Sequence, residues 1–259
     1  MNTTDYKKTE QDHYDSRAVN KANESVFKDI VNRASHVFYE KKCLELCQIK
    51  GKCIILDYGC GKGNKHFKYS NGSFKIIGID ISPKSIEFAS EYSKENKLNA
   101  EYQVMDCENM SFPDGYFDII FDYGSFSSLD MNKALPELTR VLNKDGIILS
   151  IETFGHNPFT NFKRIINVIS GKRTRWAASH IMRKDDWKKI QSSFEFFEMY
   201  YFGFFTLFIF PFYRILPKKT ADAILRMLEK IDKFFLNISI FKTLAFKTVV
   251  VLKYPKKFQ

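Results

Sequence analysis

The stretch Cys53-Ile54-Ile55-Leu56-Asp57-Tyr58-Gly59-Cys60-Gly61-Lys62-Gly63 decides the fold of this chain. Its short apolar run ends in an aspartate and a glycine loop, which predicts a strand that is buried on both faces. Similar apolar runs predict strands at residues 75–79, 102–105, 117–121 and 147–151. The first three of these runs are followed directly by Asp80, Asp106 and Asp122.

Segments with helical spacing lie before and between these strands. Apolar residues recur at that spacing over residues 23–49, 83–92 and 131–142. The third segment ends at Asn143-Lys144-Asp145-Gly146, which predicts a turn, whereas residues 1–20 are polar and show no periodic pattern. Strands that alternate with helices predict an α/β fold with a doubly wound, mostly parallel sheet.

Composition limits the class of protein. Of the 259 residues 44% are apolar and 27% are charged, as in an ordinary globular domain. No run reaches the roughly 18 to 20 apolar residues of a membrane-spanning helix. The formal net charge of +10 leaves nucleic acids, anionic membranes and acidic small molecules open as partners. The five cysteines form no C-x-x-C pair, which argues against a zinc site, so no metal is expected. The odd number of cysteines and the polar amino-terminal segment together predict a cytoplasmic protein.

The glycine loop and the strand-end aspartates indicate the kind of ligand. In a doubly wound sheet the ligand lies beyond the carboxyl ends of the strands, where these aspartates are expected. The loop has the spacing G-x-G-x-G, and Asn64 stands where a dinucleotide-binding enzyme has its third glycine. No Gly-Lys-Ser or Gly-Lys-Thr run is present, which excludes a P-loop. Asp80 comes 17 residues after Gly63 and is placed to accept hydrogen bonds from two ribose hydroxyls.

Together these segments resemble the class I S-adenosylmethionine-dependent methyltransferases of the type 11 methyltransferase family. The resemblance covers about residues 50–155 and is carried by residues 55–63, 78–82, 105–108, 112–113, 117–120 and 140–146. It implies a Rossmann-like sheet of seven strands, with strand 6 at residues 194–203 and an antiparallel strand 7 at residues 245–253. It also implies S-adenosyl-L-methionine as the cofactor.

The resemblance assigns roles to the residues of the cofactor site. The three loop glycines, Gly59, Gly61 and Gly63, would let the backbone approach the methionine part of the cofactor, whose amino group Asp57 would bind. Asp80 would hold the ribose hydroxyls. Asp106 would accept a hydrogen bond from the adenine amino group, with Cys107 beside the ring. The predicted set also includes Ile81, Tyr123 and Tyr14, of which Tyr14 either folds over the cofactor or belongs to a disordered tail.

The candidate catalytic residues follow the predicted fifth strand. If the methyl acceptor is an alcohol, a general base is expected beside it. The candidates for that base are Glu152, His156 and His180. His156 is either the base or a hydrogen-bonding loop residue, and His180 either takes part or only shapes a lid. Many relatives have a histidine after strand four, where this chain has Tyr123-Gly124-Ser125.

Two segments after the fifth strand indicate the acceptor side. Residues 161–169 are expected to form an amphipathic helix, and the basic cluster at residues 172–176 suits an anionic headgroup. An insertion at residues 204–242 joins an apolar run at 204–213 to a helix that starts at Thr220. The insertion either closes on itself as a lid or contacts a membrane, because basic residues flank it.

The sequence therefore predicts a single domain in three parts. These are an N-terminal helical lid at residues 1–49, a cofactor-binding core at 50–155 and a substrate-side part at 156–259. The predicted function is methyl transfer from S-adenosyl-L-methionine to an oxygen of a small or lipid-linked acceptor, such as a glycan or an isoprenoid. A catalytically silent binding module of the same fold is the alternative, and an NAD enzyme would require that Asn64 is tolerated.

The expected partners are the acceptor and an anionic membrane surface, with a cytoplasmic location or a peripheral one at the inner membrane face. Nucleic acid is not favoured as a partner. The chain reads Phe121-Asp122-Tyr123-Gly124 after strand four, which departs from the Asn/Asp-Pro-Pro-Tyr run of amino-methylating nucleic-acid enzymes.

Overall fold

The computed structural model describes residues 3–19, 26–70, 74–213 and 215–256. In these residues seven strands form one sheet in the order β3-β2-β1-β4-β5-β7-β6. The strands are β1 Cys53–Tyr58, β2 Phe74–Asp80, β3 Ala100–Val104, β4 Phe117–Asp122, β5 Leu142–Thr153, β6 Phe194–Phe202 and β7 Lys247–Pro255. β7 runs antiparallel to β5 and β6, and the other neighbouring strands are parallel. The predicted α/β, Rossmann-like fold with an antiparallel strand 7 is confirmed.

Helices connect the strands and pack on both faces of the sheet. They are α1 Thr3–Val19, α2 Val26–Lys50, α3 Pro83–Glu95, α4 Met131–Val141, α5 Pro158–Ile169, α6 Arg175–Ser179, α7 Lys184–Ser192, α8 Lys218–Phe235 and α9 Ser239–Lys242. Short 3₁₀ turns lie at Phe67–Tyr69, Phe126–Ser128 and Phe205–Ile209. Tyr39 and Cys43 of α2 are buried on one face, and Leu138 of α4 and Trp187 of α7 on the other. None of the helices in the described ranges is long and apolar enough to cross a membrane.

Two helices that frame the site begin at well-formed caps. Ser82 follows β2, and its hydroxyl accepts a hydrogen bond of 3.1 Å from the backbone N–H of Ser85 at the start of α3. Asn157 caps α5 in the same way, with a hydrogen bond of 2.9 Å from the N–H of Phe159. In both helices a proline occupies the first turn, where the missing N–H costs nothing. These caps fix where each helix leaves the carboxyl edge of the sheet.

Two local features differ from the sequence-based expectations. Residues 3–19 form helix α1 although they lack an apolar period, because the helix makes polar contacts through Tyr6 and Glu10, which are both buried. The prediction of a turn at residues 143–146 is wrong, because this stretch belongs to β5. There the register with β4 shifts between the pairs Phe117–Leu142 and Ile119–Ile147, so the extra residues of β5 form a bulge.

The insertion between β6 and β7 packs on itself and on α2. The buried carboxylate of Asp232 in α8 accepts hydrogen bonds from the N–H groups of Phe204, Phe205 and Thr206, at 3.0, 2.6 and 3.2 Å. It also accepts one from the Thr206 hydroxyl at 2.8 Å. Around these bonds a small apolar cluster is buried, made of Ile30, Leu207, Ile209, Leu225 and Phe246. The insertion therefore shares a second apolar cluster with α2 beside the main sheet.

Candidate active site

The glycine loop after β1 forms one wall of a cavity at the carboxyl edge of the sheet. Gly59 and Gly61 both line this cavity and have positive φ angles of 65° and 53°. A Cβ on Gly59 would lie 2.6 Å from the Cβ of Ser125, which no side chain could tolerate. A Cβ on Gly61 would meet nothing within 4 Å, because this residue opens onto free space. The loop can therefore bring its backbone against a ligand.

Most of the predicted cofactor-binding residues meet at this cavity. They are Tyr14, Gly59, Gly61, Asp80, Ile81, Asp106, Cys107 and Tyr123. Asp80 is nearly buried, and its two carboxylate oxygens accept hydrogen bonds of 2.9 Å from the N–H groups of Gly61 and Ser82. Burial raises the pKa of Asp80, and these two bonds oppose that shift. The carboxylate is thus fixed at the end of β2, between the loop and α3.

Helix α1 supplies residues of the cavity wall that the sequence did not predict. Lys7 forms ion pairs with Asp106 and with Glu108, the second at 3.0 Å. Tyr6 donates a hydrogen bond of 2.5 Å to Glu108, whose carboxylate also accepts one of 2.7 Å from the N–H of Asp130. Burial and the hydrogen bond to Glu108 raise the pKa of Tyr6, so its hydroxyl remains a donor. These bonds hold α1 over the cavity.

Two tyrosines bound the cavity on the side of β4 and β5. The hydroxyl of Tyr14 lies 3.0 Å from that of Ser128, and burial raises the pKa of Tyr14. The Tyr123 hydroxyl lies 2.7 Å from the imidazole Nδ1 of His36, and the Lys65 ammonium lies 4.8 Å from the centre of the Tyr123 ring. Tyr14 therefore belongs to an ordered helix and faces the cavity.

Asp57 and Gly63 do not line the cavity, and their predicted cofactor roles stay predictions. The Oδ1 atom of Asp57 lies 2.7 Å from Nδ1 of His66, and Nε2 of that imidazole lies 3.0 Å from the Tyr39 hydroxyl. The Oδ2 atom of Asp57 is buried and has no hydrogen-bond partner among the described residues. A Cβ on Gly63, whose φ is 70°, would come within 2.8 Å of the Tyr102 ring.

Glu152 lies behind the cavity in a buried pair with Asp122. Its side chain is 1% exposed and accepts a hydrogen bond of 2.7 Å from the N–H of Phe126. Burial and the charge of Asp122 raise the pKa of Glu152 to about 8. Asp122 accepts hydrogen bonds from the hydroxyls of Ser125 and Ser150, and burial raises its pKa as well. A carboxyl whose pKa is raised in this way is a candidate for proton transfer, and the catalytic role of Glu152 stays a prediction.

The two candidate histidines lie outside the cavity lining. The Nε2 atom of His156 accepts a hydrogen bond of 3.0 Å from the N–H of Lys184, at the start of α7. Burial and the charge of Arg183 lower the pKa of His156, which keeps its imidazole neutral. His180 stacks on Trp176 with ring centres 3.7 Å apart, and Trp176 stacks in turn on Tyr6 at 3.8 Å. Their catalytic roles therefore stay predictions.

Comparison with known proteins identifies the class to which this chain belongs. The methyltransferase domain family matches residues 49–197, which is more than half of the chain. The chain therefore belongs to this family of class I S-adenosylmethionine-dependent methyltransferases.

Individual relatives are more distant. An uncharacterised methyltransferase of Bacillus subtilis is 32% identical over 128 residues, which cover 47% of this chain and 51% of that protein. The matched part of the first curated relatives spans between 19% and 57% of their length. Geranyl diphosphate C-methyltransferase of Streptomyces coelicolor, solved with S-adenosyl-L-homocysteine, superposes with a TM-score of 0.59 at 12% identity, over 99% of this chain and 100% of that one. The cyclase SpnF superposes with a TM-score of 0.58 at 16% identity, over 92% and 86% of the chains. These two structures share the fold.

Proposed function

We propose that this chain transfers a methyl group from S-adenosyl-L-methionine to a small or lipid-linked acceptor. The observation that carries the proposal is the cavity between the glycine loop, Asp80 and Asp106, which helix α1 encloses. When bound there, the cofactor supplies an activated methyl group on a sulfonium. The chain itself binds the cofactor and the acceptor, orients them towards each other and excludes water from between them.

The polar groups of the cavity fit the cofactor part by part. Asp80 offers a fixed carboxylate for two ribose hydroxyls, and the open backbone at Gly61 leaves room for a close approach. Asp57 lies outside the cavity lining, but one of its carboxylate oxygens is buried without a hydrogen-bond partner in the described residues and would accept a hydrogen bond from the ammonium group of the cofactor. Asp106 already binds Lys7, so an adenine amino group would share this carboxylate with the lysine or displace it.

The atom that accepts the methyl group is proposed to be a hydroxyl oxygen, which requires a base. Glu152 is the first residue to test, because burial and Asp122 raise its pKa and so make the carboxylate a stronger base once it is ionised. We propose to compare Glu152→Gln with His156→Ala and His180→Ala, using labelled cofactor. Loss of the base should lower kcat by about 10²-fold and leave cofactor binding unchanged.

An exposed apolar surface supports a lipid-linked acceptor. We call it the apolar face, and it consists of the exposed residues Phe159, Phe162, Ile165, Ile166 and Ile169 of α5 with Phe208, Phe210 and Phe212 of the insertion. The rings of Phe159 and Phe208 touch, with centres 6.3 Å apart, and so join the two segments. Ile169 is 81% and Phe162 is 66% exposed. Exposed apolar side chains in such a group usually mark a contact site.

We propose that the apolar face docks on an anionic membrane from which the acceptor enters. The exposed Lys172 and Arg175 follow α5, and Lys218 and Lys219 follow the apolar run of the insertion. Each basic residue close to an anionic surface adds about 1 kcal/mol, and each buried Phe or Ile about 1.5 to 3 kcal/mol. A few such contacts suffice for reversible docking.

Cofactor binding and methyl transfer test the first part of this proposal. Calorimetry should detect binding of S-adenosyl-L-homocysteine to the full chain. Labelled cofactor should then transfer its methyl group into the lipid or glycan fraction of a host extract. If the chain binds S-adenosyl-L-homocysteine but transfers no label to any fraction, it is the catalytically silent binding module. This outcome has to be tested because the chain shares its fold with a cyclase.

Vesicle flotation tests the membrane part. The double variant Phe162→Ser, Ile169→Ser should bind phosphatidylglycerol vesicles at least tenfold more weakly than the unaltered chain. Ile49→Ser is the matched control, because Ile49 is 76% exposed but lies in the last turn of α2, which leads into the start of β1 at the opposite edge of the sheet. If the unaltered chain does not float with these vesicles, the membrane part is wrong and the cofactor part stands.

A further inference from the structure

Helix α5 turns its polar side toward the protein. Its apolar residues belong to the apolar face, whereas Thr160 and Arg164 are buried against the rest of the chain. Arg164 is only 6% exposed. A guanidinium buried to this extent needs a counter-ion or a full set of hydrogen-bond acceptors.

The protein does not provide that full set. Nη2 of Arg164 donates to the carbonyl oxygen of Ala177, but Nε and Nη1 are buried and have no hydrogen-bond partner among the described residues. Nε of the neighbouring Arg173 and the hydroxyl of Thr160 are also buried and have no hydrogen-bond partner among the described residues. Four of the nine unpartnered buried side-chain atoms in the described part of the chain thus lie in this one cluster. Such a concentration points to a missing acceptor.

The charges nearby are not balanced either. Burial and the guanidinium of Arg173 lower the pKa of Arg164, as expected for cations held close together, while Glu152 opposes this shift. Burial raises the pKa of Glu152 and of Glu10, and so favours their uncharged forms. The charge of Arg183 adds to that of the pair. Three guanidiniums thus lie near two carboxyls here, so the cluster can accept an anion.

The cluster adjoins the cofactor cavity on the side of β4 and β5. Nη2 of Arg173 donates a hydrogen bond of 2.7 Å to the Ser127 hydroxyl. The next residue, Ser128, lines the cavity, and its hydroxyl lies 3.0 Å from that of Tyr14. Trp176 donates a hydrogen bond of 3.2 Å to the carbonyl oxygen of Ser128, and so holds α6 against the same wall.

We propose that Arg164 and Arg173 bind an anionic group of the methyl acceptor, a phosphate or a carboxylate, beside the cofactor cavity. The planar N–H groups of two guanidiniums match the oxygens of such a group, and the Thr160 hydroxyl can donate a further hydrogen bond. That the anion belongs to the methyl acceptor rests on the proposed function. That an anion binds at this site does not. Because the outer side of the same helix is apolar, α5 would contact both the headgroup and the lipid of one acceptor.

Calorimetry on the full chain tests this site with inorganic phosphate, pyrophosphate and glucuronate as probes. At least one probe should bind saturably, and Arg164→Met and Arg173→Met should each weaken its binding about tenfold or more. Arg175→Met is the matched control, since Arg175 is exposed on the same segment, and it should bind as the unaltered chain does. Binding of the phosphates alone identifies a phosphorylated acceptor, and binding of glucuronate alone identifies a carboxylate.

Binding of S-adenosyl-L-homocysteine is measured on the same samples. The two arginine variants should retain it, which shows that they are folded and separates this test from that of the proposed function. If Arg164→Met does not fold, the site is tested with Arg173→Met. Arg173 is only half-buried, so its replacement disturbs the fold less. The proposal is overturned if no probe binds saturably, or if both arginine variants bind the probes as tightly as the unaltered chain.

Discussion

The substitution Glu152→Gln should change how the stability of this protein depends on pH. Gln keeps the size of the side chain and the carbonyl oxygen that accepts the 2.7 Å hydrogen bond from Phe126, so the change removes mainly the titration. In the folded chain burial and Asp122 raise the pKa of Glu152 to about 8, whereas its ordinary value is 4.5. Lys247 and Arg173 oppose this shift.

The sign follows from the protons that each state binds. Between pH 4.5 and about 8 the folded chain keeps the proton on Glu152, and the unfolded chain has released it. The free energy of unfolding therefore falls as the pH rises through this window, by about 1.4 kcal/mol per pH unit for one proton. Over the whole window the loss due to this group is about 3 to 5 kcal/mol, and it is absent in the variant.

Urea titrations at one-unit steps from pH 4 to pH 9 measure the effect. As the pH rises, the variant Glu152→Gln should become more stable relative to the unaltered chain. The difference between their free energies of unfolding should stop changing above about pH 8. Glu91→Gln, at an exposed carboxylate on α3, controls for the general effect of removing a charge. Parallel curves for the unaltered chain and Glu152→Gln would refute the reasoning.

Three further changes have defined outcomes. Asp80→Ala should weaken binding of S-adenosyl-L-homocysteine by about 1.5 to 3 kcal/mol in calorimetry, as for a lost charged hydrogen bond, and an unchanged affinity would contradict its predicted role. Asp232→Ala should lower the free energy of unfolding by at least about 3 kcal/mol in urea, because three backbone N–H groups and one hydroxyl lose their acceptor. Lys7→Met should speed amide hydrogen exchange in α1 about tenfold or more, since it removes two ion pairs, and equal exchange would show that these pairs do not hold the helix.

The sheet and most of the cavity could be predicted from the sequence because both depend on local patterns. Strands such as β1 and β4 are buried on both faces, so each appears as an apolar run, and each ends at the edge where ligands bind. Asp80 ends such a run, Asp106 follows the more exposed strand β3, and the structure brings both to the cavity together with Gly59 and Gly61.

Contacts between distant segments could not be predicted in this way. Helix α1 has no apolar stripe, so Lys7 gave no signal of its own, although it pairs with Asp106 in the folded chain. The amphipathic pattern of α5 was visible, but amphipathicity does not say which side is buried, and here Arg164 is inside while Phe162 is outside. His66 lies next to the glycine loop, and its imidazole contacts both Asp57 and Tyr39, which belongs to the distant helix α2.

The attachment of α1 has a consequence for how ionic strength affects the cofactor. The helix contributes Tyr6, Lys7, Glu10 and Tyr14 to the cavity wall, and it has no apolar stripe of its own. Buried hydrogen bonds of Tyr6 and Glu10 attach it to the core, and so do the ion pairs of Lys7 with Asp106 and Glu108, which are partly open to solvent on the Lys7 side. Dissolved ions screen such pairs, while they leave the apolar core of the sheet intact. Added salt should therefore hasten exchange of the bound cofactor well before it affects the folding of the domain.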